Sequence, residues 1–140
     1  MSTPYESATL LIRLYELRRE TAMREARTWY ARSFSPSSAD DIVATVAGPN
    51  SAQFRMVASY WDMAASFANH GAIDVEMFND TNGEHLIVFG KVQPFLDEYR
   101  QKIGAPGYLA NLEKFIMSQP SQQQRLAAIR KRFNMPEPAK

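Results

Sequence analysis

Apolar residues recur along this chain at intervals of three and four, and no stretch alternates with a period of two for long enough to make a strand. The pattern predicts an all-α protein, a compact bundle of five to seven helices around one core. A first segment runs from about Pro4 to Ser33. Thr3 can cap it, Pro4 suits the first helical position, and Glu6, three residues after Thr3, completes a capping box. Ala8, Leu11, Ile12, Tyr15, Ala22, Met23, Ala26, Trp29 and Tyr30 form one stripe along it, with Leu10, Leu14 and Leu17 nearer the opposite side. Ser38 then caps a short helix that reaches about Val46 and stops at Gly48-Pro49-Asn50.

The next segment, residues 51–70, is apolar on two sides. Phe54, Val57, Ala58, Trp61, Ala65 and Ala68 make one face, and Met56, Tyr60, Met63 and Phe67 the other. Such a helix is expected at the centre of its bundle. Gly71 ends it in a left-handed cap, and Asp74 opens a helical turn through Phe78. From Glu84 to Ile103 the apolar stripe keeps its phase through Pro94, which predicts one helix kinked near residue 94. Tyr108, Leu112, Phe115 and Ile116 mark another helix; Ser121 caps the last, where Leu126, Ile129 and Phe133 align. The expected organisation is one domain over residues 1–134 and a flexible tail over 135–140.

Length sharpens the reading of the first segment. A helix of about 30 residues is roughly 45 Å long, whereas a compact domain of this size has a diameter near ~37 Å. The helix must bend, protrude or pack on a second copy, so self-association through helix 4–33 is one expectation. Arg19 falls inside its apolar stripe and needs a carboxylate if buried, which suggests a structural pair of Arg19 with Asp62 on the central helix.

Composition narrows the chemistry. The chain has 140 residues with no cysteine, which removes disulfides and thiolate chemistry. Its net charge is +1, so no bulk field draws it to nucleic acid or anionic lipid. Seven acids lie between Asp62 and Glu98 against Lys91 alone, while Arg125, Arg130, Lys131 and Arg132 cluster near the end. That basic helix is expected to dock on the acidic middle, within a chain or across a dimer; nucleic acid is a disfavoured partner because the cluster is short and no recognition motif accompanies it. The N-terminus lacks the pattern of a secretory signal and no apolar run is long enough to span a bilayer, so no membrane role and a cytoplasmic location are expected.

One polar constellation stands out. Between the two apolar faces of helix 51–70 runs a narrow stripe of Arg55, Ser59, Asp62, Ser66 and Asn69, with His70 at its edge. It is either a solvent-facing strip or the wall of a ligand pocket lined by Tyr60, Trp61, Asp62, Ser66 and His70, with Asp62 and His70 able to carry protons. His70 and His85 are the two histidines, and neither sits in a metal-binding pattern. Asp74, Glu76, Asp80 and Glu84 surround a turn, but Phe78 stands where a calcium loop needs a ligand, so these acids read as helix caps. No metal or cofactor is expected, and no catalytic motif is present.

The stretch Phe54-Arg55-Met56-Val57-Ala58-Ser59-Tyr60-Trp61-Asp62-Met63-Ala64-Ala65, then Asn69-His70-Gly71-Ala72-Ile73-Asp74, Met77-Phe78 and Pro94-Phe95-Leu96, resembles an uncharacterised all-helical family of bacterial domains. The resemblance covers roughly residues 50–116 and implies the fold alone, without an activity or catalytic residues. Many members carry a membrane-spanning segment before this region; here the preceding helix is charged throughout, so that role does not transfer. The function expected is that of a protein-interaction or structural module, homodimeric through its first segment or bound to an unknown protein partner; the alternative is a small-ligand-binding protein or enzyme with its pocket beside helix 51–70.

Overall fold

A computed structural model describes residues 1–138. Among them the chain forms nine α-helices and one 3-10 turn and no strand, more elements than the five to seven expected. The helices are α1 (Pro4–Arg18), α2 (Thr21–Arg32), α3 (Ala39–Ala47), α4 (Ser51–Asn69), α5 (Val75–Thr81), α6 (Glu84–Val92), α7 (Leu96–Ile103), α8 (Ala110–Met117) and α9 (Pro120–Arg132).

The extra elements come from two divisions. The first segment is not one long helix: it breaks at Arg19-Glu20 into α1 and α2. Glu20 takes an extended conformation (φ −60°, ψ 141°), and its carboxylate accepts the N–H groups of Ala22 and Met23, both at 3.1 Å. Neither glycine nor proline marks the break. A glutamate here does the capping work more often given to Ser, Thr, Asp or Asn. The bend resolves the length problem, since each helix now fits within the domain. The second division falls at Pro94, where Gln93–Phe95 forms a 3-10 turn between α6 and α7. The expected kink is there, sharpened into a short change of helix type.

Several local caps match the residues that encode them, but the last helix starts at Pro120 after Gln119 with no side-chain cap, so Ser121 lies inside it and does not cap it. Thr3 and Glu6 close their box at 3.0 and 3.1 Å. Ser38 Oγ accepts the Asp41 N–H at 3.1 Å, and Asp74 accepts that of Met77 at 2.9 Å. Gly71 sits at φ 78°, a left-handed conformation in which a side chain would be strained. Leu109 adopts φ 56° ahead of α8, which begins two residues after Tyr108.

Packing then selects faces. α4 is central, flanked by α2 and α8. Phe54, Val57, Ala58, Tyr60, Trp61, Ala64, Ala65 and Ala68 of α4 are buried, but Met56 and Met63 of its second face are exposed. In α1 neither side is wholly inward: Ser7 and Leu14 are buried and Leu10 and Leu11 half-buried, while Ile12 and Tyr15 of the first stripe and Leu17 of the opposite side face outward. The buried Ser7 hydroxyl accepts the Asp74 N–H at 2.9 Å and ties α1 to the start of α5.

α9 docks on the acidic middle of the chain, but through carbonyls rather than carboxylates. Arg125 Nη1 donates to Asn82 O at 3.0 Å and Asn79 O at 3.3 Å. The buried Arg130 donates to Gly90 O at 2.8 Å, to Pro136 O at 2.7 Å and to Gln93 Oε1. Met135 N–H returns to Arg130 O at 2.8 Å, so the first residues of the expected flexible tail are held against α6; its last two, Ala139 and Lys140, lie outside the described residues.

Candidate functional site

The expected ligand set on α4 does not converge. Successive helical residues are about 100° apart, so Tyr60 and Asp62 point in nearly opposite directions. Tyr60 is buried, and its hydroxyl donates to Leu14 O of α1 at 2.6 Å; burial pushes its pKa up to about 12. Trp61 is buried and donates its indole N–H to Glu84 Oε1 of α6 at 3.0 Å. Asp62 turns to α8, where Oδ1 accepts the Leu112 N–H at 2.9 Å and Oδ2 the Asn111 side-chain amide at 3.1 Å. Asn69 completes that seam by donating to Asn111 O at 3.0 Å. His70 is exposed, its Nδ1 2.8 Å from Ser66 O of its own helix and 3.4 Å from Ser66 Oγ. Tyr60, Trp61 and Asp62 meet three different neighbours while Ser66 and His70 bond within their own helix, so the five do not line one cavity; of the polar stripe, Asp62 and Asn69 dock α8 and Arg55, Ser59 and His70 are exposed.

The Arg19–Asp62 pair does not form. Asp62 has taken Leu112 and Asn111, and Arg19 is exposed with its guanidinium 5.8 Å from the Tyr15 ring. The carboxylate that receives an arginine from the first segment is Glu84. Arg27 Nε lies 3.0 Å from both Glu84 oxygens and Nη2 lies 2.8 Å from Oε2, while Nη1 donates to Arg18 O at 3.2 Å. The bonds to Glu84 raise the Arg27 pKa further. Glu84 therefore joins α2, α4 and α6 through one carboxylate, and is not the helix cap expected of it. The spacing of 57 residues between Arg27 and Glu84 carries no sequence signal that could have found the pair.

Beside this knot lies His85, wholly buried, with ring centroids 5.7 Å from Trp61, 5.1 Å from Phe78 and 5.9 Å from Phe115. Neither ring nitrogen has a hydrogen-bond partner among the described residues. Burial, helped by the positive charges of Arg125 and Arg18, lowers its pKa to about 3, so the ring is neutral at physiological pH.

Two surface features remain once these groups are placed. The first is the outward side of α1. Tyr5, Ala8, Ile12 and Tyr15 follow one another at intervals of three and four, and Tyr5 is 81%, Ile12 60% and Tyr15 54% exposed. The second is a cleft of about 660 Å³ at the α1–α2 elbow, lined by Tyr15, Glu16, Arg18, Arg19, Glu20, Arg24 and Arg27. Among the described residues no group of three His, Asp or Glu side chains is gathered as a metal site would need.

A family model described as a domain of unknown function, DUF4760, matches residues 5–118. The chain belongs to the DUF4760 family. The match takes in α1 to α8 and the elbow cleft, and stops short of α9. It includes the central stretch that carried the resemblance read from the residues. No curated protein and no solved structure matches the chain. DUF4760 membership thus agrees with the all-helical fold and brings no activity with it.

Proposed function

We propose that this DUF4760 chain is a helical interaction module that self-associates through the outward side of α1. The observation that carries the reading is the apolar stripe of exposed Tyr5, Ile12 and Tyr15 with half-buried Ala8 between them. Its spacing is that of the seam in a two-helix coiled pair, and isolated surface apolar residues would have no reason to keep it. The same helix holds its own domain with Ser7, Leu14 and the half-buried Leu10 and Leu11, so it has two working sides. Covering the 60% of Ile12 that is exposed contributes roughly 1–2 kcal/mol per subunit. The break at Glu20 limits the surface to α1 rather than the whole of residues 4–33.

No helix among the described residues is long and apolar enough to cross a membrane. That observation and the cysteine-free composition accord with a module working in the cytoplasm. Docking through the basic end of the chain to nucleic acid has less support, because Arg125 and Arg130 already donate to carbonyls of their own chain.

Sedimentation velocity across a wide concentration range tests the proposal. The expected result is a concentration-dependent dimer that Ile12→Glu and Tyr15→Glu abolish while far-UV circular dichroism stays unchanged. A chain that remains monomeric at the highest concentration overturns it.

A further inference from the structure

We infer that the elbow cleft between α1 and α2 binds a small oxyanion, the phosphate or carboxylate group of a low-molecular-weight ligand. Four arginines line it, Arg18, Arg19, Arg24 and Arg27, against two carboxylates, Glu16 and Glu20. The charges are not balanced within the protein. Both Glu20 oxygens accept helix N–H groups of α2, and Arg27 is held by Glu84 and by Arg18 O. Arg18, Arg19 and Arg24 make no side-chain hydrogen bond and no ion pair among the described residues.

Two of these cations crowd one ring. The Arg18 guanidinium carbon lies 5.5 Å and that of Arg19 5.8 Å from the centroid of Tyr15. Arg18 also lies 5.2 Å from the Trp61 ring, and its Nε is buried without a partner. Aromatic faces hold guanidinium planes in position and leave their edges free to donate. Like charges held together in this way are stabilised by an anion that accepts from both, and a planar guanidinium edge matches the spacing of two oxygens on one phosphorus or carbon. The 660 Å³ volume admits a small molecule around such a group. Glu16, which has no side-chain partner among the described residues, opposes the anion from the same cleft.

The site shares Tyr15 with the proposed self-association surface, so it is read in the parent chain at a concentration where that chain is monomeric. Arginine Nε–Hε resonances are followed by NMR during titration with inorganic phosphate and, separately, malonate, with chloride at matched ionic strength as the control. A saturable shift of the Arg18 signal with phosphate supports a phosphate ligand, and one with malonate alone supports a carboxylate. Arg19→Gln combined with Arg24→Gln is expected to weaken binding by about tenfold or more, and Glu16→Gln to strengthen it several-fold. Both variants alter exposed side chains, and their amide spectra report whether the fold is kept. The absence of any saturable shift, or a shift that the double arginine variant leaves intact, overturns the inference.

Discussion

Asp62 caps a helix that lies 50 residues further along the chain. Its Oδ1 accepts the N–H of Leu112, in the first turn of α8, at 2.9 Å. No residue at the start of α8 offers a side-chain cap, and Leu109 at its threshold is left-handed. The orphan donors of a helix start must find acceptors somewhere, and here α4 supplies one as it packs against α8. Asp62→Ala is therefore expected to destabilise the protein by roughly 1–2 kcal/mol, as the loss of a helix cap does. Asp62→Asn, which keeps one carbonyl acceptor, falls between. Urea unfolding followed by circular dichroism checks both; equal stability of Asp62→Ala and the parent would remove the capping role.

Arg27, Trp61 and Glu84 share one partly buried carboxylate. Removing it leaves a guanidinium and an indole N–H without their acceptor, so Glu84→Ala is expected to cost about 2–3 kcal/mol. Arg27→Ala leaves the carboxylate with Trp61 alone. A double-mutant cycle on Arg27 and Glu84 should return a coupling of about 1 kcal/mol or more; additive effects would mean that the two groups do not support each other.

Acid should destabilise the fold through His85. Its pKa is about 3 in the folded protein, against an ordinary value near 6.5 in the unfolded chain. Between these values the unfolded state binds the extra proton, so stability is complete above roughly pH 6.5 and declines as pH falls toward 3, by at most about 1.4 kcal/mol per unit. His85→Leu, close in volume and without a titrating ring, should show a shallower loss between pH 6.5 and 4 in urea unfolding. An unchanged slope would place the acid sensitivity elsewhere.

Glu20 makes the elbow. Glu20→Ala removes the acceptor for two N–H groups of α2 and should lower stability by about 1 kcal/mol. It also frees the backbone to run α1 into α2. Amide exchange at Ala22 and Met23 should rise if the cap is lost, and unaltered protection would contradict the role.

The all-helical class and most of the helix ends could be read from the residues, because a cap is settled within about four positions of chain. Thr3 with Glu6, Ser38, Gly71, Asp74 and Pro94 all act where their local pattern places them. The central position of α4 was legible too, since a helix apolar on two sides cannot lie on a surface without cost. The elbow at Glu20 was not, because a glutamate between helix-forming neighbours carries no break signal until α2 has a surface of α4 to bury against.

The same limit governed the polar groups. Periodicity placed Asp62 and Trp61 on their helix faces correctly as angles, but an angle does not name the neighbour that fills it; Arg19, expected inside a helical stripe, lies at the elbow beyond the end of α1. α8 came to lie against Asp62, α6 brought Glu84 to Trp61, and Arg27 instead of Arg19 reached a carboxylate. In α1 two apolar sides compete for one core, and only the packed arrangement of α4 and α5 decided that Leu14 goes in and Ile12 and Tyr15 stay out. Local hydrogen bonding and hydrophobic spacing act along the chain and are written in it; the choice among equivalent faces and partners is made by contacts tens of residues apart, which no short pattern contains.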